Sequence, residues 1–273
     1  MRLKAPEEFL TGAETHVDEP RCRQSGVTHL VTAVCAEAEK DWNAALKRGV
    51  SNWQTLSGSS AVRLHLMLEG SEPLVRLEDS RALLEDLEMA TLTWNHANSL
   101  AGGVASDQGL TEEGGNWIRR FAEAGVTLDI SHLCARSRGD VLRLHQGILV
   151  ASHCNAAGIF DHPRNLPDQD LREIARRGGV VGITFVPHFL GPEASLETIV
   201  DHIAYVADLV GVKSVALGSD FDGIGRLPRG IRGCQSWPDL IQRLEKRGFS
   251  DSEKDAIAFG NWTRVLGADG EER

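Results

Sequence analysis

The sequence lacks the features that would place this protein at a membrane or on a nucleic acid. It has 273 residues and a formal net charge of −10, so no overall excess of basic residues is present to bind phosphate backbones or anionic lipids. No apolar run reaches the roughly 18 residues that a membrane-spanning helix needs. The opening segment, MRLKAPEEFLTG, has no apolar core of a signal peptide. We therefore expect a cytoplasmic protein with neither a nucleic-acid nor a membrane partner.

Cysteine is also scarce. The chain has five cysteines, an odd number, with no C-x-x-C pair. This pattern is typical of a reducing compartment and argues against a disulfide framework. Because we find no linker, internal repeat or low-complexity segment, we predict one domain covering residues 1–273.

Apolar, β-branched runs of strand length recur along the chain. They are nearly continuous in hydrophobicity, as parallel strands are when both faces of the sheet are buried. The predicted strands are 27–34, 62–69, 89–94, 126–131, 148–153, 180–186 and 214–220.

Amphipathic segments separate these runs. GLTEEGGNWIRRFAEAG has a threonine cap, an apolar stripe and a terminal glycine, and LPDQDLREIARRGG repeats the arrangement with Asp168 as the predicted N-cap. Repeated strand–helix units in a chain of this length predict an α/β fold, a TIM-like (β/α)8 barrel, with a doubly wound sheet as the alternative. Only seven strands can be counted, since residues 1–26 are polar and broken by glycine and proline. The barrel is therefore expected to lack or replace its first strand.

Polar side chains follow four of the predicted strands. They are Glu69, His132, His153 and Asp220, the last followed by Asp222. In a barrel of this type the chemistry lies at the carboxyl ends of the strands. Two imidazoles and one carboxylate form a normal zinc ligand set that leaves a position for water, and a further carboxylate can move protons.

Several segments together resemble a known family. They include LMLEGSEPL, LTWNHANSLAGG, GVTLDISHL, ASHCNAAGIFDHPRNLPDQ and SVALGSDFDG, in this order along the chain. The sequence is similar to the membrane (renal) dipeptidases, peptidase family M19, which are amidohydrolase-like barrel metalloenzymes. The resemblance runs from about residue 14 to residue 266.

The resemblance implies a role for each strand-end residue. In the family two zinc ions share a glutamate, which corresponds to Glu69, and the histidines of one zinc correspond to His132 and His153. An arginine that binds the substrate carboxylate corresponds to Arg164, and the aspartate thought to move a proton corresponds to Asp220. The family's substrate-contacting histidine corresponds to Trp94 in this sequence, and whether His96, two positions further along, substitutes for it stays open.

One part of the family pattern is in doubt. The other zinc takes its ligands from an H-x-D motif at the end of the first strand, and this chain has such a motif in His16 and Asp18. No buried strand leads into it, and the segment matches the part of the family that precedes the second strand. We therefore expect the first strand and its ligands to be absent. One zinc ion is expected, or two if other groups replace the missing ligands. The exposed strand edges would be covered by the N-terminal segment or by a second copy of the chain in a homodimer.

These observations predict a zinc-dependent dipeptidase, a metallodipeptidase whose substrates are small dipeptides and whose metal activates water. Two alternatives stay open at this point. The chain could be an impaired or inactive family member that acts as a binding or structural protein. It could also be an N-terminally truncated reading of an active enzyme.

Overall fold

The computed structural model of this protein describes residues 6–12 and 15–267. Its α-helices, labelled α1 to α13 in chain order, are Pro6–Thr11, Glu19–Ser25, Trp42–Ser57, Glu72–Val75, Arg81–Asp86, Glu112–Ala124, Ala135–Leu144, Asp168–Arg176, Pro187–Leu190, Leu196–Val210, Trp237–Arg247, Asp251–Asp255 and Asn261–Leu266. Short 3-10 turns cover Ala36–Ala38, Val212–Ser214 and Cys234–Ser236, and a π-helical turn covers Ala256–Gly260.

The strands alternate with these helices. Strands β1 to β7 are His29–Val34, Arg63–Leu68, Leu87–Thr91, Thr127–Asp129, Leu149–Val150, Val181–Ile183 and Val215–Leu217. The order in the larger sheet is β1-β2-β3-β4-β5, and β6 pairs with β7 in a second sheet. Strand β1 pairs with β2, β2 with β3, β3 with β4 and β6 with β7 in parallel register. Each strand falls on one of the seven predicted runs, so that part of the prediction is confirmed.

Strand β2 shows why the buried strands of this protein have nearly continuous apolar sequences. Five of its six residues are buried, and only Arg63 at its start is exposed. A strand paired on both sides and covered on both faces has no polar face, which removes the alternation seen in half-exposed sheets. The same run carries the chain directly to Glu69.

Of the two predicted helix caps, one is confirmed. Thr111 is the N-cap of α6, its side chain accepting a hydrogen bond from the Gly114 amide, and Gly125 ends the helix with φ +75°. The assignment of Asp168 as an N-cap was wrong. Helix α8 begins at Asp168 and is preceded by Pro167, while the Asp168 carboxylate accepts a bond from the Tyr205 hydroxyl at 2.8 Å. An acidic side chain in the first turn still complements the helix dipole.

The segment before β1 contains helices. In the described residues 6–12 and 15–28, α1 and α2 form and no strand does. In the part of the chain that the structure covers, no helix combines the length and apolar character needed to cross a bilayer.

The chain divides into two compact units. The continuous unit comprises residues 29–149, and the discontinuous unit comprises residues 1–28 together with 150–273. The boundary lies within β5.

Candidate metal centre

Glu69 and His132 meet in the continuous unit. Glu69 directly follows β2, and His132 lies three residues beyond the end of β4. The Oε1 atom of Glu69 lies 2.7 Å from Nε2 of His132, and both side chains are nearly buried, at 13% and 7% exposure. Placing both residues at the carboxyl ends of parallel strands brings together side chains that are 63 positions apart in sequence.

The second ring nitrogen of His132 determines what this pair can bind. Nδ1 lies 3.0 Å from Oδ1 of Asn95, a carbonyl oxygen that only accepts hydrogen bonds, so Nδ1 carries the hydrogen. In the neutral ring Nε2 then directs a lone pair at the Glu69 carboxylate. Two acceptors at 2.7 Å repel each other unless a proton or a cation lies with them. This donor set fits a metal ion, because ligating histidines are held through their other ring nitrogen in this way.

The backbone at His132 is strained. Its φ is +70°, in the left-handed region that residues other than glycine seldom adopt. Such conformations cost on the order of 1–3 kcal/mol and cluster at functional sites. The strain indicates that the surrounding turn, closed by the Leu133 amide on the Ile130 carbonyl, fixes the direction of the imidazole.

Glu37 fixes the loop that carries Asn95. It lies in the 3-10 turn after β1, where Oε1 accepts bonds from the Glu72 amide at 3.0 Å and from Asn98 Nδ2 at 2.9 Å. Oε2 accepts the Trp94 amide at 3.1 Å. Burial raises the pKa of the Glu37 carboxyl, an effect that these hydrogen bonds oppose. Glu37 thereby joins the loop after β2 to the loop after β3.

Cys35 lies beside the same Glu69 carboxylate. It directly follows β1, and its thiol shares a hydrogen bond with Glu69. Burial, followed by the negative charge of Glu69, raises the pKa of the Cys35 thiol well above its usual range. The thiol therefore keeps its proton next to Glu69 at neutral pH.

His153 and Arg164 belong to the discontinuous unit. His153 lies three residues after β5 and is buried, and its Nδ1 is 2.7 Å from the Ser152 hydroxyl. The Arg164 guanidinium donates from NH2 to the His153 carbonyl at 3.4 Å and lies 5.2 Å from the ring centroid of Phe189. Arg164 is only 6% exposed, so it is a buried residue of a fixed loop. A buried guanidinium fork is well suited to hold a carboxylate.

The turn after β7 carries two aspartates with positive φ. Asp220 has φ +57° and Asp222 has φ +62°, and the Gly223 amide closes the turn on the Asp220 carbonyl. Asp222 has a structural role, since its Oδ1 accepts the His16 amide at 2.6 Å. Asp220 is half-buried on the strained turn.

The H-x-D motif of this chain is used in another way. Asp18 caps α2, with Oδ1 accepting the Arg21 amide at 2.9 Å and Oδ2 accepting Arg21 Nε at 2.6 Å. Nδ1 of His16 accepts the Asp222 amide at 3.1 Å. Nδ1 of His16 and both carboxylate oxygens of Asp18 are thus engaged in bonds that fasten this segment.

Sequence reasoning missed Glu37, Asn95 and Cys35. Cys35 and Glu37 follow the end of β1, so the strand-end rule that selected Glu69 could have found them. Asn95 gives no comparable signal, because its importance depends on which imidazole its loop approaches. Cys134 follows His132 by two residues, yet its sulfur caps α7 and accepts the Ser137 amide at 3.5 Å.

Sequence comparison identifies related proteins. A family model described as membrane dipeptidase (peptidase family M19) matches residues 28–271. An uncharacterized dipeptidase of Schizosaccharomyces pombe is 32% identical over 209 residues, which are 72% of this chain and 51% of that protein. Dipeptidase aclJ of Aspergillus oryzae is 32% identical over 213 residues, which are 73% of this chain and 50% of that protein. The chain thus spans about half the length of these curated relatives.

Structural comparison identifies solved proteins with the same fold. A metallopeptidase of Rhodobacter sphaeroides, solved with a phosphinate mimic of the dipeptide L-Ala-D-Ala, matches with a TM-score of 0.82 and 22% identity over 96% of this chain and 93% of that chain. The probable dipeptidase PvdM of Pseudomonas aeruginosa matches with a TM-score of 0.83 and 17% identity over 95% and 90% of the two chains. These likenesses confirm the predicted α/β fold of the TIM-like barrel class.

Proposed function

Because the chain belongs to the membrane dipeptidase family, peptidase family M19, we propose that it is a metal-dependent dipeptidase that hydrolyses the peptide bond of dipeptides. The observation that carries this proposal is the close approach of Glu69 to His132, whose ring is oriented by Asn95. A carboxylate and an imidazole in this arrangement need a positive charge between them. The family assignment supplies a reason for that charge to be a metal ion.

Glu69, His132 and His153 are the proposed ligands of one divalent ion, a group of one carboxylate and two imidazoles. Zinc suits this set, and it commonly keeps an open position with three such protein ligands. When bound, the ion would polarise the scissile carbonyl and acidify a water molecule. Ser152 holds Nδ1 of His153, as Asn95 holds Nδ1 of His132, so each imidazole would use its Nε2 atom.

Arg164 is proposed to bind the terminal carboxylate of the substrate. Its guanidinium is buried and stacked over Phe189, which orients the fork and lowers the entropy lost on binding. The mimic bound to the Rhodobacter sphaeroides relative is of a dipeptide with a free carboxylate, which supports the same substrate class for this chain.

Asp220 is proposed to take a proton from the attacking water and to pass it to the leaving amine. A general base needs a fixed direction, which the closed turn and positive φ of Asp220 provide. Asp222 is less suited to this task, because its Oδ1 atom is engaged by the His16 amide and its Oδ2 atom is buried.

Metal analysis and a dipeptide library test the proposal together. We expect about one zinc per chain and hydrolysis that a chelator abolishes and added zinc restores. Glu69→Gln and His153→Ala should each weaken zinc binding in calorimetry and abolish turnover, whereas Glu39→Gln, at an exposed position after β1, should do neither. Unchanged turnover in both ligand variants would refute the proposed site.

A second function is favoured by the bonds of His16 and Asp18. Nδ1 of His16 and the Asp18 carboxylate are engaged in these bonds, and residues 6–12 and 15–28 form no strand, so these described residues do not offer the strand-end H-x-D ligands of the family's second metal. An impaired family member that binds a dipeptide-like ligand without cleaving it would fit this observation. No metal and no turnover across the library would favour this function.

A further inference from the structure

The N-terminal segment is fastened to the loop that follows β7. The His16 amide donates to Asp222 Oδ1 at 2.6 Å, the Asp222 amide donates to His16 Nδ1 at 3.1 Å, and the Cys234 amide donates to the His16 carbonyl at 3.0 Å. Gly233 has φ +129°, and a Cβ there would lie 2.4 Å from the His16 carbonyl oxygen. Only glycine permits this approach, so the register between the two segments is fixed.

This attachment brings two cysteines together. Cys22 lies in α2 and Cys234 begins a 3-10 turn, and their sulfur atoms are 3.8 Å apart with both residues fully buried. The carboxylate of Asp18 and the side chain of Arg21 fix the start of α2, which holds Cys22 in place. The sulfurs of a disulfide bond are about 2.0 Å apart, so forming one requires these two to approach by about 1.8 Å more.

We propose that Cys22 and Cys234 are a redox-active dithiol that oxidises to an intramolecular disulfide and locks residues 15–25 onto the loop carrying Asp220 and Asp222. This inference does not rest on the proposed dipeptidase activity.

The oxidant is a low-molecular-weight disulfide, RSSR. The Cys234 thiolate attacks one sulfur of RSSR, which forms a mixed disulfide and releases RS⁻. The Cys22 thiol then loses its proton and attacks the Cys234 sulfur, which expels the second RS⁻. Two protein thiols lose two electrons and two protons, and one RSSR becomes two RSH.

The local chemistry favours Cys234 as the first nucleophile. A hydrogen bond from the Cys22 thiol lowers the pKa of Cys234, and the positive charge of Arg21 acts in the same direction. The pKa of Cys22 is raised, first because its proton is shared with Cys234. A thiolate at Cys234 and a thiol at Cys22 are the states that the exchange needs.

Burial sets the rate of the reaction. Neither cysteine is exposed, so RSSR reaches Cys234 only when α2, a helix of seven residues, opens locally. Oxidation should therefore be slower than that of an unfolded peptide. Once formed, the bond spans 212 positions of sequence and removes much of the freedom of the unfolded chain.

The test uses the full-length protein with its metal content unchanged. Incubation with oxidised glutathione, followed by acid quenching and alkylation under denaturing conditions, should give a protein that has lost two hydrogens. Proteolysis should give one linked peptide pair containing Cys22 and Cys234, and dithiothreitol should reverse the change. Oxidation should raise Tm, on the order of 10 °C, because the closed loop is long.

Cys22→Ser and Cys234→Ser are the matched variants, and Cys134→Ser, in which serine can keep the N-cap of α7, is the control. Neither matched variant should show the Tm rise on oxidation, while the control should keep it. The proposal fails if wild-type Cys22 and Cys234 both remain fully alkylated after oxidation, if glutathione stays attached to Cys234, or if Cys22 links to another cysteine. Peptide analysis of the wild type distinguishes these outcomes even if a variant does not fold.

Discussion

Removing the carboxylate of Glu37 should lower the free energy of unfolding by more than a typical substitution in an exposed turn does. Three donors depend on it, namely the amides of Glu72 and Trp94 and the side-chain nitrogen of Asn98. In Glu37→Ala these donors lose their acceptor, at a cost of about 1–3 kcal/mol each when water cannot replace it. The raised pKa of Glu37 shows that burying the carboxylate itself is unfavourable, which offsets part of that cost. We expect a net loss of about 3 kcal/mol.

A glutamine at position 37 keeps the shape of the side chain and removes its negative charge. Its single carbonyl oxygen can keep the two bonds made by Oε1, but its amide nitrogen would face the Trp94 amide, donor against donor. Glu37→Gln should therefore cost about 1–2 kcal/mol. Because Trp94 adjoins Asn95, both variants should also weaken zinc binding, by up to about tenfold.

The assay is urea unfolding of the metal-free protein, followed by tryptophan fluorescence with a chelator present, so that stability is measured apart from metal binding. Glu39→Ala and Glu39→Gln are the controls, since Glu39 is exposed two residues further along. If Glu37→Ala lies within about 0.5 kcal/mol of Glu39→Ala, the argument from the three hydrogen bonds is wrong.

Three further outcomes are expected. Asn95→Ala should weaken zinc binding about 10–100-fold in calorimetry, because Nδ1 of His132 then loses the oxygen that orients it, and unchanged affinity would contradict that role. Burial lowers the pKa of His202 to about 4. As the pH falls from about 6.5 to about 4, His202 therefore becomes protonated in the unfolded chain but stays neutral in the folded protein. Stability should fall by about 3 kcal/mol across that window, and His202→Asn should flatten the pH dependence of urea unfolding; an equally steep curve would exclude His202 as the cause. Gly182→Ala should destabilise by more than about 3 kcal/mol in the same assay, since its Cβ would lie 2.1 Å from the Ser152 carbonyl oxygen, and a near-neutral result would mean that β6 can shift.

The strands could be predicted from sequence because a strand buried on both faces is a nearly continuous run of apolar residues. A run such as residues 62–69 has no polar alternation, and β2 occupies nearly all of it. The strand-end rule then placed Glu69 and His132 at the same edge, and the 2.7 Å contact agrees with that placement. Their role as ligands, together with the roles of His153, Arg164 and Asp220, stays a prediction.

The groups that orient these side chains could not be predicted. Glu37 bonds to Trp94 and Asn98 across 57 and 61 positions, and such contacts depend on loop conformations that carry no periodicity. The capping role of Asp18 was hidden by its place in an H-x-D motif. The sulfurs of Cys22 and Cys234 are 212 positions apart, and spacing rules for cysteine pairs address only near neighbours.

The division of the chain has a consequence for biosynthesis. Residues 29–149 leave the ribosome as one uninterrupted stretch, whereas residues 1–28 must wait for partners beyond residue 150. At about 5–20 residues per second, the interval between the synthesis of His16 and that of Asp222 is on the order of ten seconds or more. During that interval the segment around His16 has none of its native attachments to Asp222 and Cys234, and it is then accessible to chaperones and to oxidants that the finished fold keeps away from Cys22.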